Sequence, residues 1–442
     1  LRDRQGRAVD GTSGHGAGDR EARDAEEPAP GGNPSAVQDE SKLAGIRILD
    51  LTNVVAGPTI ASTLARFGAE VIKIDPTEPT LDPWNTVIFG IQANRGKRSM
   101  LLDIRSDEGR EILHELLRRV DVVTFNGLDR QLDALGLDPE TVAAINPELV
   151  FCRADAFGGP DWGPRSNDLG YDDTVQASTG VMARFGGSLE TPEEHAHFGT
   201  IDVMGGFFAA CSVVLALLGR RRGDGARRAE SSLAAAGQFI QTPFMFDYPG
   251  RPPFDEPSGP GARGEHPLYG LYRASDGWFF LGARRADVAR LAALPQLAGI
   301  ETVEEGELRA ELERRFACAP GAEWVQRLVD AGVGAHTADS IESLRERYRV
   351  PAREVALRCA GSTYLFTRHD DHPSGRVVDL VPPNAIRFGR SPVAMLADAP
   401  RSGTHTFEIL EEIGIATERA RRLSDDGVVA GRWPHGHAYL PD

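Results

Sequence analysis

The chain has 442 residues and a formal net charge of −16, because 65 acidic side chains outnumber 49 lysines and arginines. Such a charge repels phosphate backbones, which argues against a nucleic-acid partner. The 41% hydrophobic content is sufficient for a large folded core. The four cysteines form no C-x-x-C pair, which argues against a disulfide scaffold and structural zinc and favours a reducing, cytoplasmic location.

Residues 1–42 are predicted to be a disordered tail or a linker. They contain no aromatic residue and are rich in Gly, Ala, Pro and charged residues, a composition that cannot bury enough apolar area to offset the entropy lost on folding. No apolar run follows the first basic residues, so a signal peptide is not expected. Because the first residue is Leu1 rather than Met, we expect a linker from an upstream domain, or alternatively an added expression segment.

Alternating strands and helices predict an α/β fold with a doubly wound parallel sheet over residues 43–228. Pro58 suits the first position of a helix that follows the first strand and ends at Gly68, and Ser106 can cap a later helix. The predicted strands are residues 46–51, 70–75, 99–103, 120–124 and 149–153.

The second half of the chain has a different pattern. Pro and Gly crowd residues 249–267, and we assign residues 229–266 to a linker. Residues 268–273 and 278–281 flank an Asp-Gly turn, which predicts a hairpin. With the helices that follow, this indicates a second, smaller α+β domain over residues 267–384. Residues 385–442 are predicted to return to the large domain through a helix over 406–413 that Gly414 stops.

The strongest apolar run is Val203 to Leu218. It is short for a membrane span and contains Gly205 and Gly206, so a buried core helix is predicted and no membrane association is expected.

Several functional motifs are absent. The first strand-turn-helix lacks G-x-G-x-x-G, and the chain has no P-loop, no G-x-S-x-G elbow and no H-E-x-x-H. His195 and His197, and likewise His369 and His372, have the spacing of metal ligands but lack further well-placed partners. We predict that all four are solvated loop residues and that no metal is bound.

Eight segments together resemble the class III CoA-transferases, the family of formyl-CoA transferase and the carnitine CoA-transferases, with α-methylacyl-CoA racemase as a cousin. The segments occur in the family's order and spacing over most of the chain. They are 43–52 (LAGIRILDLT), 55–58 (VAGP), 68–75 (GAEVIKID), 94–99 (NRGKRS), 171–180 (YDDTVQASTG), 199–206 (GTIDVMGG), 269–272 (YGLY) and 399–405 (APRSGTH).

The resemblance implies a large Rossmann-like domain, a small domain and two interlocked copies, hence a homodimer or pairing with a homologous domain. It also implies that CoA enters as part of the substrate and that no cofactor is bound permanently. The substrates would be an acyl-CoA and a carboxylic acid.

Asp202 matches the family's nucleophile. An aspartate with an ordinary pKa near 3.9 is ionised at neutral pH and needs no helper base. Its carboxylate would attack the acyl-CoA thioester to give a mixed anhydride and then an aspartyl-CoA thioester. Its position before an apolar helix suggests that helix N–H groups stabilise the anion, and Gly205 and Gly206 would leave room for the thioester. The alternative from local sequence is that Asp202 is only a helix N-cap.

The same resemblance places CoA across the first two strand-helix turns. Arg105 would pair with a phosphate, whereas Lys97 and Arg98 could either add to this positive field or form a solvated turn. The rival carboxylates Asp172 and Asp173 are interpreted either as structural residues or as residues that support the site from behind. The matched CoA-binding positions are Val55, Ala56, Leu102, Asp103, Ile104, Arg105, Asn126, Gly127, Leu128 and Tyr171.

Three alternative functions remain open. A racemase needs an acid/base pair, but its histidine corresponds to Tyr171, and a side chain with an ordinary pKa near 10 is a poor base at neutral pH. An isomerase that moves CoA within one molecule would use the same Asp202. In the third alternative, the chain is one half of a tandem fusion and is either weakly active or purely structural.

Overall fold

The computed structural model describes residues 41–79, 90–158, 163, 165–166, 168–194, 199–225, 227–251, 258–354, 365–381, 386 and 396–433. The predicted tail lies almost wholly outside these residues, as do His195 and His197.

A seven-stranded sheet organises the first half of the mixed α/β fold. Six strands run parallel in the order β3-β2-β1-β4-β5-β6, and β13 pairs antiparallel with β3 at one edge. The five strands expected from the sequence are all present, with bounds that differ by at most two residues. The seven strands are β1 (Arg47–Asp50), β2 (Glu70–Asp75), β3 (Arg98–Leu102), β4 (Val122–Phe125), β5 (Val150–Asp155), β6 (Arg228–Ser232) and β13 (Val429–Ala430).

Helices cover both faces of this sheet, because alternate strand residues supply two separate apolar cores. Leu49 and Val123 face one core, whereas Ile48 and Val122 face the other. The first core includes α2 (Asp107–Leu117), α3 (Asp129–Leu135), α4 (Pro139–Ile145), α13 (Thr406–Glu412) and α14 (Thr417–Asp425), and the second includes α1 (Ala56–Ala65) and α7 (Thr200–Arg222).

Local sequence explains several helix ends. The Ser106 hydroxyl accepts a hydrogen bond from the Gly109 N–H at 3.1 Å, which confirms the predicted cap of α2. The end of α13 is also confirmed, since Gly414 follows it with a left-handed φ of 88°. Pro58 is the third residue of α1 rather than the first, because the helix begins at Ala56 without a side-chain cap.

Strand β6 lies inside the stretch that the sequence analysis assigns partly to a linker. It carries the polar segment Arg-Ala-Glu-Ser-Ser and forms the sheet edge beside β5. An edge strand needs no continuous apolar run, which explains why periodicity does not reveal it. Helix α8 (Leu233–Phe239) follows directly, capped by the Ser232 hydroxyl at 3.1 Å from the Ala235 N–H.

A separate apolar core lies in the second half of the chain. Its centre is formed by Tyr272, Phe279, Phe316 and Trp324, whose rings pack largely edge to face. The predicted hairpin is present as β7 and β8. The elements around this core are β7 (Tyr269–Arg273), β8 (Trp278–Gly282), β9 (Gly334–Thr337), α9 (Val288–Ala292), α10 (Glu305–Phe316) and α11 (Gly321–Asp330).

The remaining elements are short. A three-stranded sheet pairs β11 in parallel with β10 and antiparallel with β12. These elements are α5 (Asp172–Ser178), α6 (Val181–Gly186), α12 (Ile341–Tyr348), β10 (Arg349–Pro351), β11 (Phe366–His369) and β12 (Val378–Leu380).

Helix α7 is the long apolar helix that the sequence predicts, but only one face is buried. Ile201, Ala209 and Val213 pack inside the protein, whereas Leu215 is 61% exposed and Leu218 is 41% exposed. Within the described residues, α7 is the one helix whose length and composition would suit a membrane span, and buried helices of soluble proteins share that composition.

Candidate functional site

A cavity of about 600 Å³ lies at the carboxyl ends of the parallel strands. Ligands of open parallel sheets bind at this edge. All of the predicted CoA-binding residues except Val55 line it, and Asp202 lines the same cavity. The described lining residues are Leu51, Asn53, Val54, Ala56, Ile74, Asp75, Pro76, Thr77, Glu78, Leu102, Asp103, Ile104, Arg105, Phe125, Asn126, Gly127, Leu128, Gln131, Leu135, Ala154, Asp155, Ala156, Asp168, Leu169, Gly170, Tyr171, Asp202 and Leu233.

The turn between β1 and α1 differs from the sequence expectation. Val55 is buried, and its neighbour Val54 lines the cavity instead, with a φ of 65°. A left-handed backbone is rare for a β-branched residue, so this turn is strained. The Asn126 side chain holds it by accepting from the Asn53 N–H and donating to the Asn53 carbonyl, both at 2.9 Å.

Asp202 is the third residue of α7 and is only 6% exposed. The N-cap position belongs to Gly199, so the alternative that Asp202 serves only as an N-cap is wrong. Asp202 is one of the residues that line the cavity.

Asp172, at the start of α5, caps the beginning of α7 from outside the helix. Its Oδ2 accepts hydrogen bonds from the Ile201 N–H at 3.1 Å and the Asp202 N–H at 2.8 Å. The Gln176 amide donates to its other oxygen. The sequence predicts that the first N–H groups of α7 stabilise the Asp202 anion, but in the structure the Ile201 and Asp202 N–H groups bind Asp172 instead.

The Asp202 carboxyl group is consequently harder to ionise than an ordinary aspartate. Burial, then the charges of Asp172 and Asp173, raise its pKa to about 7. The expectation of an ordinary aspartate pKa near 3.9 is thus wrong, because burial and the two neighbouring carboxylates favour the protonated form to well above that pH. A group with this pKa titrates within the working range of an enzyme, which is common at catalytic sites.

Two further carboxylates of the cavity wall are paired with buried cations. Asp75 binds the Lys73 ammonium at 2.5 Å, and Asp155 binds Arg153 at 2.8 Å, with all four side chains buried. Among the described lining residues, Arg105 alone carries a cationic side chain, and it is exposed.

Lys97 and Arg98 do not contribute to the cavity. Lys97 therefore neither adds to a positive field there nor forms a solvated turn, the two roles that the sequence left open. Its ammonium is fully buried and binds Asp50 at 2.7 Å, while Arg98 binds Glu412 at 2.7 Å outside the cavity.

Gly205 and Gly206 allow close helix packing rather than leaving room for a thioester. A Cβ at Gly206 would lie 2.6 Å from the Ala56 carbonyl oxygen, because α1 and α7 approach closely there.

The prediction that His369 and His372 are solvated is wrong. Their exposed fractions are 8% and 2%. His369 Nδ1 lies 2.8 Å from an Asp398 oxygen, and its Nε2 lies 2.9 Å from the Thr367 hydroxyl. The described residues contain no group of three or more side chains suited to hold a metal ion.

Comparison with known proteins identifies the family to which the chain belongs. The family model described as CoA-transferase family III matches residues 43–406.

The chain belongs to the family III CoA-transferases.

It is 40% identical over 399 residues to the CoA-transferase/lyase DddD of Marinomonas sp. (strain MWYL1), a match that covers 90% of this chain and 47% of that protein. The chain thus spans about half the length of that relative. It is 26% identical to the alpha-methylacyl-CoA racemase of Mus musculus, covering 88% of this chain and 97% of the racemase. A crystal structure of a CaiB/BaiF family protein from Brucella suis shares the fold, with a TM-score of 0.69 at 24% identity, and covers 84% of this chain and 99% of that one. The resemblance seen in the sequence is confirmed.

Sequence reasoning on this family III CoA-transferase missed two features of the site. The first is the cap that Asp172 provides to α7, for which the only local signal is that Gly199 has no side chain to cap with. The second is the strained Val54 turn, which the sequence does not mark because the left-handed position carries valine rather than glycine.

Proposed function

We propose that this family III CoA-transferase moves CoA between an acyl-CoA and a carboxylic acid, with Asp202 as the nucleophile. The observation that supports this most strongly is the position of Asp202 on the wall of the cavity that the predicted CoA-binding residues also line. Its buried carboxyl group lies where a thioester, carried on the flexible arm of CoA, could reach it.

In the first half-reaction, the ionised Asp202 carboxylate attacks the thioester carbonyl. The carbon–sulfur bond breaks, CoA leaves as a thiolate, and the acyl group remains on Asp202 as a mixed anhydride. The thiolate then attacks the Asp202 side-chain carbonyl and expels the donor carboxylate. The product is an aspartyl-CoA thioester, which stores the free energy of the original thioester.

In the second half-reaction, the incoming carboxylate attacks the aspartyl-CoA carbonyl and expels the thiolate. The thiolate then takes the new acyl group from the mixed anhydride and releases Asp202 as a carboxylate. Atoms and charge balance without ATP. The N-terminal turn of α7, which Asp172 fixes, holds the reacting carbonyl in place throughout.

Exchange between defined substrates tests the activity. The protein is incubated with an acyl-CoA and an isotopically labelled second acid, without ATP, and the thioesters are separated by chromatography. We expect the label to enter the CoA thioester pool with ping-pong kinetics. Release of free CoA and acid, with no label in any thioester over a broad panel of acids, would contradict the proposed transfer.

The pKa of Asp202 predicts the pH dependence. Since the attacking form is the carboxylate and the pKa is about 7, kcat/KM is expected to rise with pH around a midpoint near 7. At about pH 6 it should fall to roughly one-tenth of its plateau value. The measurement is kcat/KM for one acyl-CoA across this range, with a substrate that does not titrate there. A flat profile would show that ionisation of Asp202 does not limit the reaction.

Arg105 is proposed to bind a phosphate of CoA. Truncation to Ala should raise the KM for acyl-CoA about tenfold and change kcat little, because one charge-assisted hydrogen bond is lost. The matched control is an acyl-pantetheine, which lacks the nucleotide and should show the same KM with both proteins. An equal loss with both substrates would place Arg105 away from the nucleotide.

The alternatives predict different products. A racemase would exchange the α-hydrogen of a 2-methylacyl-CoA with solvent deuterium, and the cavity has Tyr171 at the position of the racemase histidine. An isomerase would convert one acyl-CoA to another with no second acid present. A structural half of a tandem fusion would do neither. The label-transfer assay separates all three from the transferase.

We propose that the protein works in the cytoplasm as a homodimer or paired with a homologous domain. The exposed face of α7 supports the pairing, because Val214, Leu215 and Leu218 form an apolar strip that water does not favour. The relative of twice this length is consistent with a second domain. A monomeric mass by analytical ultracentrifugation of the whole protein would contradict the homodimer.

A further inference from the structure

The start of α7 depends on a side chain from another helix. Gly199, at the N-cap, has no side chain, so it cannot satisfy the first N–H groups of the helix. The Asp172 carboxylate takes that role from α5, with one oxygen shared between the Ile201 and Asp202 N–H groups at 3.1 and 2.8 Å. Asp172 is itself only 1% exposed, and the fully buried Gln176 side chain donates to its other oxygen.

This arrangement puts a second buried carboxylate beside the proposed nucleophile. In the described residues, neither Asp172 nor Asp202 forms an ion pair with a cation. Helices α1 and α8, which pack against the same end of α7, carry no charged side chain. The charges on the neighbouring strands are paired within their own strands. These pairs are Asp155 with Arg153 on β5 and Glu230 with Arg228 on β6.

We infer that Asp172 is a positioning residue, which fixes the backbone turn that carries Asp202 and holds a negative charge against it, thereby controlling when Asp202 becomes a nucleophile. This inference rests on the proposed function of Asp202. The backbone bonds set the position of the reacting carboxyl group, and the charge opposes its ionisation. Asp173 lies next in the chain and adds to the field, but it does not cap α7.

The charge of Asp172 has two opposing effects, one on the nucleophilicity of the ionised Asp202 carboxylate and one on the fraction of molecules in which Asp202 is ionised. Asp172 and Asp173 are the charges that, after burial, raise the pKa of Asp202 to about 7. A carboxylate that holds its proton more tightly is also a stronger nucleophile once ionised. Asp172 therefore makes Asp202 more reactive per ionised molecule while leaving fewer molecules ionised below neutral pH.

The test is Asp172→Asn, which keeps the shape and an acceptor oxygen but removes the charge. We expect the midpoint of the kcat/KM profile to move down by about one pH unit. Activity at about pH 6, relative to each protein's own plateau, should rise from roughly one-tenth to one-half. Asp173→Asn is the matched control, because it removes a neighbouring charge without touching the cap, and it should move the midpoint less.

A second measurement does not depend on activity. An Asp202 whose pKa is raised by folding costs stability progressively from its ordinary pKa of 3.8 up to about 7. Asp202→Asn should therefore raise the melting temperature most at about pH 8, less at about pH 5 and little below about pH 4. In the Asp172→Asn background this gain should shrink. If Asp172→Asn fails to fold, Asp172→Ser supplies a smaller neutral acceptor for the same comparison.

The outcomes separate the two claims. An Asp202→Asn protein that keeps its transferase activity overturns the proposed function. An inactive Asp202→Asn protein, combined with an unchanged midpoint in Asp172→Asn and an equal gain in melting temperature in both backgrounds, overturns the role of Asp172 alone.

Discussion

Asp202→Asn is expected to lower kcat at least about a thousandfold, because an amide cannot supply the attacking oxygen and no second carboxylate replaces it in the covalent sequence. The substitution preserves the shape of the side chain in its buried position at the start of α7. Steady-state thioester exchange above neutral pH measures the effect. Asp425→Asn, on the exposed end of α14 and outside the cavity, is the control and should behave as the unsubstituted protein.

The same variant should be more stable than the original protein. The folded pKa of Asp202, about 7, lies above its ordinary value of 3.8. The stability that this group contributes is therefore present at low pH and is lost as pH rises through about 7. One pKa unit corresponds to about 1.4 kcal/mol, so the gain for Asn above pH 7 is at most about 4 kcal/mol. Inactivity with unchanged or reduced stability at that pH would point to misfolding rather than to lost chemistry.

Lys97→Met is expected to destabilise the fold by about 3–5 kcal/mol, the usual cost of leaving one member of a buried ion pair unpaired. The Lys97 ammonium donates to Asp50 at 2.7 Å and to the Pro58 carbonyl at 2.8 Å, and neither side chain of the ion pair is exposed. Burial alone would raise the pKa of Asp50, but the charges of Lys97 and Lys73, together with hydrogen bonds from Lys97 and Thr52, lower it. Without Lys97, the carboxylate would have to be buried alone or protonated.

Urea unfolding of Lys97→Met measures this loss. The loss should be smaller at about pH 5 than at pH 8, since the unpaired Asp50 can then take up a proton. Arg98→Met is the matched contrast. It breaks an ion pair with Glu412 that is 30% and 50% exposed, and should cost no more than about 1 kcal/mol. Equal losses in the free energy of unfolding for the two substitutions would show that the buried Lys97–Asp50 ion pair stabilises the fold no more than an exposed one.

Much of the fold follows from local sequence. The apolar strands β1 to β5, the Ser106 cap and the end of α13 at Gly414 each depend on residues within one turn or one strand. Such features are visible as periodicity, a capping side chain or a glycine with positive φ. The edge strand β6 lacks an apolar run, so periodicity alone does not distinguish it from a linker.

The site was predictable in position but not in its electrostatics. The family resemblance suffices to place both Asp202 and Arg105 on one cavity. The raised pKa of Asp202 depends on its burial and on the charge of Asp172, thirty residues away in sequence. The burial of Lys97 depends on Asp50, two strands away in the sheet. His369 is buried for a similar reason, because Asp398 approaches it from a later segment. Contacts between distant segments leave no local pattern.

Chemical trapping of the covalent intermediate tests the central claim most directly. The protein is incubated with an acyl-CoA, quenched with hydroxylamine or borohydride, digested and analysed by tandem mass spectrometry, with a sample lacking acyl-CoA beside it. The account predicts one modified side chain, Asp202, and only in the presence of acyl-CoA. An unmodified Asp202 in a preparation that transfers CoA, or a modification on another carboxylate, would contradict it.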